Sequence, residues 1–498
     1  MSGELLLGVD IGTSSTKGVL ARPGGEVVAT AQREHGLSMP RPGWAEHDAE
    51  GVWWADFVSV CRELLEKADG RVAAVCTSGI GACLLPADAA GNPLRPAILY
   101  GIDTRAEAEI EELNARYGEE DLLERCGSVL TTQAVGPKLL WLRRNEPGVW
   151  ERTAKVFMAS SFLVWRLTGE YVLDHHSASQ CDPLYDVREY RWIGEWAGEV
   201  APGLPLPRLL WPAEVAGEVT PEAAEETGLP AGTPVAAGTI DAWSEGASVG
   251  VQEPGDLMLM YGTTMFIIEV VREPLHHPGL WGTTGILPNT RNLAAGMATS
   301  GALTGWLREI SGGLPYERLT AEAAAVAPGS GGLVVLPYFA GERTPLFDPR
   351  ARGLIGGLTL RHGRGHLYRA VLEATAYGVR HIFESMREAG GGGERLVAVG
   401  GGTKGGLWTR IVSDVTGRPQ QLPEQTIGAA YGDALLAARA VGLAGRDEDW
   451  CTIADTVEPD EGNREVYDEL YRVYRELYPA TREQMHRLAD MQREGSSG

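Results

Sequence analysis

At 498 residues the chain exceeds one ordinary domain, and 44% hydrophobic with 22% charged residues is the balance of a folded soluble protein with two or three sizeable cores. A formal net charge of −23 argues against a nucleic-acid backbone or an anionic membrane as partner, and an anionic substrate would need a local positive pocket and a metal. No basic leader followed by a long apolar stretch is visible, no run approaches the ~20 apolar residues of a membrane span, and the six scattered cysteines lack metal-ligand spacing, so free thiols in a reducing cytoplasm are expected.

The first predicted element is an apolar strand over residues 5–9 that ends in Asp10. A turn holding Gly12, Thr13, Ser14, Ser15, Thr16 and Lys17 leads to a second strand over 19–21. Hydroxyls, exposed N–H groups and one ammonium can hold phosphate oxygens. Asp10 cannot approach phosphate unshielded, so its natural part there is to hold Mg2+ or its water shell; an ordinary polar hairpin turn is the alternative. A third strand follows over 27–31. Asp48 is placed to cap a helix whose Phe57, Cys61, Leu64 and Ala68 recur at helical spacing. A buried strand over 72–77 then runs into a loop over 78–83, at a strand end where α/β proteins commonly bind ligands. Asp103 and Arg105, in the loop after a strand near 96–99, either hydrogen-bond a polyol or form a structural ion pair. An amphipathic helix begins at Lys138, and the Pro-rich passage over 201–212 reads as a surface connection. An apolar strand over 234–240 delivers Asp241 to the start of a helix, where an acid is either an N-cap or a catalytic group.

The second half echoes the first. A strand over 257–261, the turn Gly262-Thr263-Thr264 and a returning strand over 265–271 mirror the opening hairpin and suggest two similar α/β domains sharing one cleft. The small-residue loop over 298–305, with Gly301 and Gly305, opens a helix and lets a ligand come close. A strand over 333–338 and a long helix over 366–389 follow. The strand over 396–399 runs into a glycine turn over 400–406 that fits GxGxxG. A dinucleotide fold would need several further strand–helix units, which are absent, so Gly402 and Gly406 are better read as letting a base or ribose lie against the backbone. The stripe Tyr467, Leu470, Tyr471, Tyr474, Tyr478 reads as core, the histidines as packed or solvated, and residues 495–498 as a flexible tail.

Together these stretches resemble the FGGY family of carbohydrate kinases over nearly the whole chain. The most specific match is Gly353-Leu354-Ile355-Gly356-Gly357-Leu358, followed after seven residues by His366-Leu367-Tyr368-Arg369-Ala370-Val371-Leu372-Glu373. The stretches around Asp10, Asp241, Thr263 and Gly402 fall in the family's order and spacing. The resemblance implies two actin-like (RNase H-like) α/β ATPase domains closing over ATP and a sugar. Residues 1–246 would take sugar and phosphates, 247–478 the nucleotide, and 479–498 would be a helix end and tail. It implies Asp241 as general base and Asp10 as the Mg2+-associated carboxylate. Thr13, Ser14, Lys17 and Thr263 would line the phosphates, Gly301, Gly305, Gly402 and Gly406 the nucleoside, and Gly81, Ala82, Asp103 and Arg105 the sugar, beside Asp241. ATP and Mg2+ are the implied cofactors and a homodimer is compatible with the family. D-xylulose leads as substrate, with ribulose, another ketose or glycerol as alternatives.

Two positions depart from the family's pattern. Val135 stands where a small hydroxylated residue or proline is usual before Lys138, and Gly81-Ala82 stand where xylulokinase-like members carry a Met-His pair that contacts the sugar. An actin- or chaperone-like nucleotide switch would account for the two hairpins, but not for the Asp241 stretch or the C-terminal signature. A dinucleotide oxidoreductase would rest on the glycine turn alone. The kinase reading requires Asp10 and Asp241 to face each other across one crevice.

Overall fold

The computed structural model describes residues 3–495. Strand β1 (Glu4–Ile11) is buried at every position after its first, as a central strand covered on both faces must be. Through a short turn it pairs with β2 (Ser15–Ala21), which pairs with β3 (Val27–Glu34), all antiparallel. β2 starts four residues before the apolar run because Asp10 opposite Lys17 and Ile11 opposite Thr16 carry the ladder to the hairpin tip. Asp48 caps the following helical segment by accepting from the Glu50 and Gly51 N–H groups. Helix α1 (Ala55–Lys67) then buries Phe57, Cys61 and Leu64, while Ala68 lies just past its end. β4 (Arg71–Gly79) lies parallel to β1, and beyond it come β5 (Val215–Glu218) and β6 (Pro234–Ala236), giving the order β5-β6-β4-β1-β2-β3. The expected strand over 234–240 is split. Gly238, at φ 70°, brings the backbone so close to Thr77 that a Cβ there would lie 1.9 Å from its carbonyl oxygen. The chain resumes as β7 (Thr239–Ile240) beside β4 and enters α2 (Asp241–Ser248).

The second domain repeats this plan. β8 (Asp256–Tyr261) and β9 (Met265–Val271) form its hairpin, and β10 (Trp281–Thr284) and β11 (Arg291–Met297) extend the antiparallel side. Helices α3 (Gly301–Ile310) and α4 (Arg364–Glu388) follow. β12 (Arg395–Val399) lies parallel to β8, and α5 (Leu407–Thr416) leads to β13 (Gln420–Pro423), parallel to β12. In both sheets an antiparallel run that begins with a hairpin is joined by parallel crossover strands on the other side of its first strand. That is the actin-like arrangement, present twice.

Helix α6 (Ala429–Ala440) comes from the second half of the chain yet covers the first sheet, burying Ala430, Ala434 and Leu435 against Leu6, Val19, Ala74 and Cys76. Two glycines permit the contact. A Cβ on Gly8 would lie 1.9 Å from the Ala430 carbonyl oxygen, and one on Gly432 would lie 1.9 Å from that of Ser244 in α2. β14 (Ile453–Val457) closes the second sheet, and α7 (Arg464–Gly495) sends Tyr467, Tyr471 and Tyr474 into its core as expected. The Pro-rich passage contains a short strand, Arg208–Leu210, parallel to Val172–Asp174. All six cysteines are free thiols. Among the described residues no helix is long and apolar enough to cross a membrane. Of the expected tail, residues 496–498 lie outside the described residues.

Candidate active site

Three parallel strands of the first sheet end side by side. Asp10 of β1 is in register with Ser78 of β4, and Ser78 with Thr239 of β7, two residues before Asp241. Neighbouring strands lie about 4.8 Å apart, so one strand separates the two acids. They stand on the same wall, at the carboxyl ends of one sheet, so the expectation that they face each other across a crevice is corrected, and what remains of it is that both acids reach one strand-end edge. That edge is where open α/β sheets bind ligands.

Asp10 is 8% exposed. Its Oδ1 accepts from Ser78 Oγ at 3.2 Å, and Lys17 is its cross-strand partner. Burial pushes its carboxyl up to about 6, with Lys17 pulling the other way. Asp241 is the first residue of α2. Its Oδ1 accepts from the adjacent Ala242 N–H at 2.7 Å, not from the second or third N–H of the helix, so the capping role is not taken. Burial first, and the negative charge of Asp10 second, push Asp241 up to about 8. Glu245, one turn further along α2, is raised to about 7 by burial and by Asp10. A carboxyl group whose pKa lies near neutrality is suited to accept a proton. As for a metal, no group of three or more His, Cys, Asp or Glu among the described residues forms a cage. A single carboxylate beside a hydroxyl-rich hairpin would instead suit Mg2+ that arrives on a nucleotide, because Mg2+ is usually held by one or two carboxylates together with substrate phosphates.

Around the hairpin, Thr13 Oγ1 lies 2.9 Å from the Tyr100 hydroxyl, and the Ser14 and Lys17 side chains are exposed. In the second domain the hairpin tip is stitched to the start of α3. The Thr263 carbonyl accepts from the Ser300 and Ala302 N–H groups at 3.1 and 3.0 Å, and Gly301 N–H donates to the Gly262 carbonyl at 3.0 Å. Gly402 packs against Tyr261 and Trp408, so Thr263, Gly301 and Gly402 gather at the end of β8. Gly305 lies one turn into α3, and Gly406 ends the glycine turn at φ 68°.

Comparison with known proteins decides the family. The description of the N-terminal domain of the FGGY family of carbohydrate kinases matches residues 5–246, and that of its C-terminal domain matches residues 257–441. This chain is an FGGY carbohydrate kinase. Xylulose kinase of Escherichia coli K12 is 30% identical over 458 residues, which cover 89% of this chain and 91% of the relative. Glycerol kinase of Nocardia farcinica is 32% identical over 461 residues, covering 88% and 91%. The crystal structure of xylulose kinase from Rhodospirillum rubrum superposes with a TM-score of 0.90 at 35% identity, covering 97% of this chain and all of that one. FGGY kinases are phosphotransferases with an alcohol group as acceptor.

In this FGGY kinase the expected sugar-side residues divide. Gly81 and Ala82 lie just past the end of β4 and are themselves buried, Ala82 completely, so they form the floor beside Ile240 rather than an open surface. A Cβ on Gly81 would lie 2.3 Å from the Ile240 side chain, and the Gly81 carbonyl accepts from Gln133 Nε2 at 3.0 Å. Asp103 and Arg105, expected to contact a polyol, are corrected to the structural ion pair. Both Asp103 oxygens are taken by Arg105 and by the Ala45 N–H, Arg105 reaches Glu46 at 2.9 Å, and Arg105 stacks 3.9 Å over Trp44. At 1% and 0% side-chain exposure the pair has no surface to offer a ligand. Sequence reasoning missed three residues at the site. Tyr100 braces Thr13. His35 lies 3.0 Å from the Gly12 carbonyl and 2.8 Å from Asp56, fixing the turn. Glu245 had a legible signal, since an acid four residues after Asp241 shares its helix face.

Proposed function

We propose that this kinase transfers the γ-phosphoryl group of MgATP to a hydroxyl of a sugar, D-xylulose first, with Asp241 as general base and Asp10 as the metal-associated carboxylate. The observation that carries the reading is the alignment of Asp10, Ser78 and Thr239 across three strand ends, which brings both acids to one edge of one sheet. A sugar alcohol is a weak nucleophile at neutral pH. Its oxygen forms the new O–P bond as the bond from the γ-phosphorus to the ADP oxygen breaks, and its proton passes to the Asp241 carboxylate. Thr13, Ser14, Lys17 and Thr263 hold the phosphates, and Gly301, Gly305, Gly402 and Gly406 leave room for the nucleoside. Mg2+ bound with the nucleotide offsets phosphate charge next to Asp10. Positioning and charge neutralisation supply most of the acceleration in phosphoryl transfer. Six free thiols and an ATP-consuming reaction support a cytoplasmic setting.

Gly81-Ala82 leave the sugar without an imidazole partner at that loop, which widens the acceptor range to ribulose and glycerol, and a glycerol kinase is among the relatives. A panel of ketoses and polyols, scored for ADP release with Mg2+, tests the reading. D-xylulose is expected to stimulate release most. Release that no sugar or polyol stimulates overturns the kinase reading in favour of a nucleotide switch.

A further inference from the structure

A further carboxyl group lies beneath Asp10 and Asp241. Asp433 sits in the alanine-rich helix α6 and is fully buried. Its Oδ2 lies 2.7 Å from Ser78 Oγ, and Ser78 Oγ lies 3.2 Å from Asp10 Oδ1. Its Oδ1 lies 2.6 Å from Ser244 Oγ, in the same helix as Asp241 and three residues after it. One side chain from the second half of the chain thus reaches the hydroxyl that holds Asp10 and the helix that carries Asp241. Ser78 and Ser244 are also fully buried.

We infer that Asp433 is a positioning residue, which through Ser78 fixes the Asp10 carboxylate and through Ser244 fixes the start of α2. The inference rests on the proposed kinase reading for its activity arm only. Packing alone does not call for an acid at this place. The neighbours of α6 are Leu6, Val19, Cys76, Ala236 and other apolar groups, and an apolar side chain of similar volume in such a setting is often neutral or stabilising. Hydrogen counting makes the chain directional. Ser78 has one hydrogen and two carboxyl neighbours. If Asp433 supplies the hydrogen between itself and Ser78, the Ser78 hydrogen is free for Asp10, and every polar atom in the row is satisfied. Burial, with the charge of Asp10 added, favours that neutral form of Asp433. Asparagine can replace it in kind. Its oxygen accepts from Ser244 and its amide donates to Ser78. Leucine fills the volume and does neither.

The test compares Asp433→Asn, Asp433→Leu and Asp433→Ala with the wild-type chain. Steady-state kinetics use the acceptor found on the sugar panel. Asp433→Leu is expected to lower kcat by roughly 10- to 100-fold, the range for a displaced catalytic group, with sugar KM little changed, while Asp433→Asn recovers most of the loss. Leucine activity equal to wild type, or leucine and asparagine impaired alike, overturns the inference. A wild-type chain that turns over no acceptor refutes the kinase reading instead. For that case calorimetric titration of ATP with and without Mg2+ still reads the placement of Asp10. The gain in affinity from Mg2+ should shrink in Asp433→Leu and persist in Asp433→Asn, and an unchanged gain in Asp433→Leu refutes the positioning role. If the leucine variant does not fold, Asp433→Ala and Ser244→Ala take its place with the same expected and overturning outcomes.

Discussion

In its proposed role Asp241 meets two opposed demands. As a base it must be ionised, yet burial and the charge of Asp10 hold its pKa at about 8, against 3.8 for an unperturbed aspartate. Asp241→Asn should lower kcat by ~10²–10⁴-fold, the usual cost of losing a general base, and leave ATP binding intact. The same variant should be more stable than the wild-type chain, and increasingly so as pH rises. Between the unfolded pKa and the folded one, the folded state binds the extra proton, so the partly buried acid costs progressively more stability up to about pH 8. Below the unfolded value both states are protonated and the difference vanishes. Asp10 and Glu245 share the shift, so the gain for asparagine near neutral pH is on the order of 2 kcal/mol, less than the full shift would give. Thermal unfolding of the two chains at acid and at mildly alkaline pH checks this. A gap that does not widen with pH means that Asp241 is not held protonated by its surroundings. Full kcat in the variant means that it is not the base.

Helix α6 determines how the acids are supported, and it is the element least legible in the chain. The strands and the two hairpins could be read because their signal is local: apolar runs of the right length, broken by Gly-Thr turns. Asp10 and Asp241 could be singled out because each ends such a run. Residues 429–438 are buried on every side, so no apolar stripe tells which sheet the helix covers, and its partner strands come from the first half of the chain. Asp433 was invisible for that reason. Asp103 and Arg105 were open between two roles for the same reason, since Glu46 and Ala45, which bind them, meet them only in the fold. The crossing of α6 over α2 tolerates no side chain at Gly432, where a Cβ would press on the Ser244 backbone. Gly432→Val should cost about 1–3 kcal/mol or more by overpacking and should also depress kcat, because the helix start that carries Asp241 must shift. Thermal unfolding and kinetics measured together check the coupling. A variant that loses stability but keeps full kcat in its folded fraction shows that α2 does not need α6 to hold its position.

The seam between the domains runs through the same place. α2 touches α6 through Ser244 on one side. On the other it reaches the second sheet through Trp243, whose Nε1 donates to Asn292 Oδ1 at 3.1 Å and whose ring lies 5.7 Å from that of Phe266. Asp241 therefore starts a helix gripped by both domains, so a change in their mutual angle would act directly on the proposed base. A kinase that holds ATP must also avoid wasting it on water, and closure of the two sheets over sugar and nucleotide would be the physical means, expelling water and completing the site only when the acceptor is present. The kinase should therefore show a smaller radius of gyration by small-angle scattering with acceptor and ADP together than with either alone. Its hydrolysis of ATP should stay low until an acceptor is added. An unchanged radius with normal turnover would place water exclusion in a preformed cleft, and the grip of both domains on α2 would then serve rigidity instead of closure.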